Sequence, residues 1–94
     1  MIERLERQLG KEKRDLQILD AVIREHPIGI VKLAQETDVP QHKVRYSLRM
    51  LENDGLIEAT PQGAIPTDDI ASDVETINRG IDDLIARLHE LESL

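Results

Sequence analysis

The apolar positions of this chain fall into three successive rhythms. From the N-terminus, Ile2, Leu5, Leu9, Leu16, Leu19 and Ile23 keep a seven-residue register, with Glu12 in the one seat that should be apolar. This spacing predicts one long helix, or two joined near Gly10, whose second half runs from about Glu12 to Glu25. Proline and glycine in His26-Pro27-Ile28-Gly29 stop it. In the middle of the chain Ile30, Leu33 and Ala34 mark a short helix, and Thr37-Asp38-Val39-Pro40 breaks it with residues that favour turns and helix starts. Val44, Leu48 and Leu51 then return at steps of four and three, a second helix of about four turns that ends at Asn53-Asp54-Gly55. Two short β-like pieces, Leu56 to Ala59 and Ala64 to Pro66, flank the turn residues Thr60-Pro61-Gln62-Gly63 and predict a hairpin.

The third rhythm is the most regular. Ile70, Val74, Ile77, Ile81, Leu84, Leu88 and Leu91 alternate steps of four and three without a miss over three heptads, the pattern of a coiled-coil seam. Thr67 offers a capping oxygen at its start, with Asp68 and Asp69 expected in the first turn. Ala71 and Ile85 widen the stripe on one side, so the seam has room for more than one partner helix, including the N-terminal segment of either subunit. Gly80 costs about 1 kcal/mol relative to alanine in a helix, which close approach of two helices would justify. A strict seam of this length predicts a homodimer and leaves parallel or antiparallel pairing open. The expected division is a helical extension at 1–10, a domain at 11–67 and a dimerisation helix at 68–94.

Ninety-four residues give one small domain with a marginal core, and dimerisation would relieve that. With Tyr46 as the only aromatic side chain, the core must be aliphatic, and an aromatic facing solvent calls for a contact role. The chain has no cysteine, and His26, His42 and His89 share no ligand spacing, so neither a metal nor another cofactor is expected. No apolar run reaches the ~18 to 20 residues of a membrane span, and no signal-peptide segment opens the chain, which points to the cytoplasm. Asp68, Asp69, Asp82 and Asp83 have no nucleophile, histidine or phosphate loop beside them, so no enzyme is expected.

The placement of charge is more informative than composition. A net charge of -7 argues against nucleic acid until its placement is examined: residues 68–94 carry eight acids against Arg79 and Arg87. Residues 41–49 hold Lys43, Arg45 and Arg49 with no acid, a cationic window on an acidic body. With Val44, Leu48 and Leu51 turned inward, His42, Tyr46, Arg49 and Asn53 point outward, and Lys43 and Arg45 flank them.

Ala34, Val39, Val44, Leu48, Leu51 and Gly55-Leu56-Ile57 fall where winged helix-turn-helix transcription regulators of bacteria and archaea keep their core and turn residues, and the chain from about Leu16 to Thr67 resembles that superfamily. The resemblance implies a mainly α fold with a small β-hairpin wing. It implies double-stranded DNA as the partner, read by the second helix of the pair. Candidate contacts are Gln41 and His42 at the helix start, Lys43 and Arg45 on phosphates, and Tyr46 and Arg49 on base edges, with Arg49 suited to guanine. A dimer would meet a near-palindromic operator. Unlike wings that grip the backbone, this one has no lysine or arginine. The rival expectation is a winged module that binds proteins within a transcription or replication assembly.

Overall fold

The computed structural model describes all residues, 1–94. Six elements follow in order: α1 (Ile2–Glu25), α2 (Ile30–Thr37), α3 (Gln41–Asn53), β1 (Ile57–Thr60), β2 (Gly63–Pro66) and α4 (Ile70–Glu92). The first rhythm is a single helix, and Gly10 does not interrupt it. No helix is long and apolar enough to cross a membrane.

Three local devices set the angles between elements. Asp38 ends α2 in the left-handed region at φ 57°, a conformation that Asp tolerates better than most residues. Pro40 then stands as the N-cap of α3, one residue earlier than the first helical position, and its carbonyl accepts the N–H of Val44 at 3.0 Å. At the other end Gly55, at φ 75°, completes a Schellman turn: its own N–H reaches Glu52 O, and the Leu56 N–H reaches Leu51 O, both at 3.0 Å. Leu51 and Leu56 both lie in the core, so the same turn closes the helix and directs the chain into β1.

β1 and β2 pair antiparallel with Thr60 opposite Gly63. Ile28 adds a third short piece of sheet: its N–H donates to Ala64 O at 3.1 Å and its carbonyl accepts the Ala64 N–H at 2.8 Å. The connection between α1 and α2 is therefore part of the hairpin's support as well as a helix stop.

The sequence-based start of α4 needs correction. The helix begins at Ile70 with Asp69 as N-cap and no side-chain capping bond. Thr67 instead donates its hydroxyl to Gly55 O at 3.0 Å, tying the end of the hairpin to the end of α3. No atom lies within 4 Å of where a Cβ on Gly80 would sit, so no close helix approach within the chain explains that glycine.

Every buried side chain falls between Ile18 and Ala64. Ten apolar residues form the core, Ile18, Leu19 and Val22 from α1, Leu33 from α2, Val44 and Leu51 from α3, and Ile28, Leu56, Ile57 and Ala64 from the turns and sheet. Ile70 and Ile77 of α4 pack against this cluster, but α4 buries none of its residues, and neither does α1 before Ile18. The result is an elongated molecule, 52 × 28 × 20 Å, whose radius of gyration of 15.0 Å exceeds the ~12 Å of a compact chain this long.

Candidate nucleic-acid interface

The inward set of α3 is settled by packing: Val44 and Leu51 are buried and Leu48 half-buried. At ~100° per residue this fixes the opposite face, and Gln41, His42, Lys43, Arg45, Tyr46 and Arg49 are all exposed there or on its flanks. None of the three cations makes an ion pair. They are free to meet an anion without first breaking an internal bond.

Sequence reading missed two members of this region. Ser47 is the one polar residue that is fully buried, on the side of α3 that faces α1. Its hydroxyl accepts a hydrogen bond from Arg14 Nε at 2.8 Å. The same guanidinium lies over the Tyr46 ring, 5.5 Å from its centroid, a cation–π arrangement. Tyr46 thus keeps 47% of its surface exposed while one face of its ring is supported from α1. A signal existed in the serine at an inward position of α3, where a buried hydroxyl demands a partner.

The hairpin behaves differently. Thr60 donates its hydroxyl to Gly63 O at 2.6 Å and accepts the Gln62 N–H at 3.2 Å, so the tip is closed by its own polar groups. Its strands and tip carry no lysine or arginine, and the charged residue there is the exposed Glu58. An apolar depression between hairpin and α3, lined in part by Ile30, Leu48, Ala59 and Pro61, offers no cation either.

Proton-linked chemistry lies elsewhere. The Glu36 carboxyl is pushed up by a hydrogen bond with Glu25, then by partial desolvation and by repulsion from the same residue, while Lys32 opposes the shift. Glu25 ends α1 and Glu36 lies on α2, so this shift does not belong to the α3 face. No group of His, Asp or Glu side chains is arranged to hold a metal ion.

Among curated proteins, none matches this chain. Among solved structures, the activation domain of the phage T4 transcription factor MotA is similar in fold: it is 22% identical, the alignment covers 76% of this chain and 81% of that one, and the TM-score is 0.56. Residues 11–58, just over half of the chain, match the winged helix-turn-helix DNA-binding family, a span that takes in most of α1, both helices of the pair and the start of β1. DNA binding is the function this match supports. The chain belongs to the winged helix-turn-helix DNA-binding family.

Proposed function

We propose that the protein is a dimeric transcription regulator that recognises a specific duplex sequence through α3. The observation that carries this reading is the arrangement of α3: an unpaired basic and hydrogen-bonding face, presented on a helix whose other side is locked into the core. Lys43 and Arg45 hold phosphates. Tyr46 and Arg49 reach base edges in the major groove, and Gln41 and His42 stand at the helix N-terminus, where backbone N–H groups also favour phosphate.

Dimerisation rests on the seam. Ile70 and Ile77 are occupied within the chain, whereas Val74, Ile81, Leu84, Leu88 and Leu91 remain 40–62% exposed. A monomer leaves this stripe in water; a second copy covers it. The two-fold axis then presents two α3 helices to half-sites about one helical turn apart, and the operator is a near palindrome.

A competing reading, a protein-binding winged module, is favoured by the cation-free hairpin and by the acids of α4. A mobility-shift titration against a pool of genomic duplexes separates the two. The regulator retains particular sequences; Lys43→Ala weakens binding to all duplexes alike and lowers the salt slope by about one unit, and Arg49→Ala relaxes sequence preference. Failure to retain any duplex at any salt concentration favours the protein-binding module.

A further inference from the structure

The cations of this chain are sorted by location. Of the twelve Lys and Arg side chains, Arg24, Lys32, Arg79 and Arg87 are in ion pairs. The eight without an ion pair lie between Arg4 and Arg14 of α1 or on α3 and nowhere else. On α1, Arg4, Arg7, Lys11 and Arg14 follow one another at steps of three, four and three, which places all four within one narrow stripe; Lys13 falls outside it.

The stripe continues a face already described. Ile18 and Val22, the next positions along the same row, are fully buried in the core. The face of α1 that is aliphatic where the domain covers it becomes cationic where the covering ends. Arg14 marks the junction, because its guanidinium touches both Ser47 and Tyr46 of α3. The apolar residues Ile2, Leu5, Leu9 and Leu16 stand on the opposite side of α1, roughly 160° away at ~100° per residue. Whatever covers that apolar side, α4 or another helix, leaves the basic stripe open.

We infer that Arg4, Arg7 and Lys11 form a second phosphate-binding strip, continuous through Arg14 with the α3 face and gripping the backbone of the duplex that α3 reads. The inference rests on the DNA-binding reading of α3. It gives α1 the backbone contacts that the hairpin, without a cation, lacks. From Arg4 to Arg14 the helix rises ~15 Å, a length over which one strand of B-form DNA passes about four phosphates. Arg4, Arg7 and Lys11 lie along that run of charges, and Arg14, held by Ser47 and Tyr46, joins them to α3. Contacts of this kind add affinity for every sequence and none for a particular one.

The test compares the unmodified chain with Arg4→Gln/Arg7→Gln/Lys11→Gln, in which glutamine keeps helix propensity and removes charge. Binding to a selected duplex and to random duplex is titrated across salt. The salt slope falls by about 2 to 3 units per subunit, affinity at ~0.05 M salt falls at least about 10-fold for both duplexes, and the ratio between them is kept. A slope unchanged from that of the unmodified chain overturns the inference and leaves the α3 reading intact; an unmodified chain that binds no duplex removes both. A second measurement does not depend on the triple variant folding. Because the chain has no cysteine, Arg7→Cys and Asp83→Cys each carry a single photo-crosslinker. Position 7 crosslinks to bound duplex and position 83 on α4 does not; equal yields at the two positions overturn the inference.

Discussion

Ser47 and Arg14 show how one buried hydroxyl can orient a surface. The guanidinium can satisfy itself in water, but the Ser47 hydroxyl, fully enclosed, has only Arg14 as a partner. The two truncations are therefore unequal. Arg14→Ala strands a buried polar group and should cost about 1 to 3 kcal/mol, whereas Ser47→Ala removes the group that needs a partner and should cost less than ~1 kcal/mol. Urea midpoints measure both, and equal losses would contradict the argument. Tyr46, the sole fluorophore, reports on its own support, since losing Arg14 changes its emission while the helix content stays fixed. The outward set of α3 was legible from spacing alone because Val44, Leu48 and Leu51 leave a single choice of inward face. The Arg14 contact was not, because its two halves are 33 residues apart and only the fold brings them together.

At the scale of elements, the hairpin is anchored by a feature that periodicity does not show. Turn residues located the tip, and the β1–β2 pairing follows from them, but Ile28 was readable only as part of a helix stop. In the fold it completes the sheet, and Gly63 makes this possible. A Cβ at Gly63 would sit 2.6 Å from Ile28 C and 2.7 Å from Ile28 O, on a backbone at φ +129°. Neither contact can yield without breaking the pair of hydrogen bonds between Ile28 and Ala64. Gly63→Ala should therefore cost about 2 to 4 kcal/mol, combining a forbidden φ with overpacking against backbone. Gly80→Ala is the contrasting case, a helical position with open space around it, and should gain up to about 1 kcal/mol. Thermal unfolding of the two variants, with amide exchange at Ile28 and Ala64, distinguishes a loosened hairpin from general destabilisation.

For the whole molecule, the two projecting helices carry matching patterns. Counted from opposite ends, Ile2, Leu5, Leu9, Leu16, Leu19 and Ile23 of α1 mirror Leu91, Leu88, Leu84, Ile77, Val74 and Ile70 of α4. The mirrored order is that of antiparallel helices, and Leu16 lines a groove with Val74, Ile77 and Ile81. That groove is not closed within one chain, since Leu16, Val74 and Ile81 each keep about two-fifths of their surface exposed. With Ile2, Leu5, Leu9, Leu84, Ile85, Leu88 and Leu91, exposed further along the two helices, they amount to an apolar area of the order of the ~800 Å² per partner that a standard interface buries. Two copies can cover each other by packing these pairs into a four-helix bundle, with the basic stripe of α1 on the outside. Leu84→Glu tests this assembly at a position where a monomer and a dimer respond differently. In a monomer Leu84 is already 55% exposed, and a glutamate there leaves stability nearly unchanged. In the dimer it places unpaired charge in the interface, so the expected result is a monomer in sedimentation and a melting temperature that no longer rises with protein concentration. An unmodified chain that sediments as a monomer at micromolar concentration, with a melting temperature independent of concentration, would remove the dimer and the palindromic operator together.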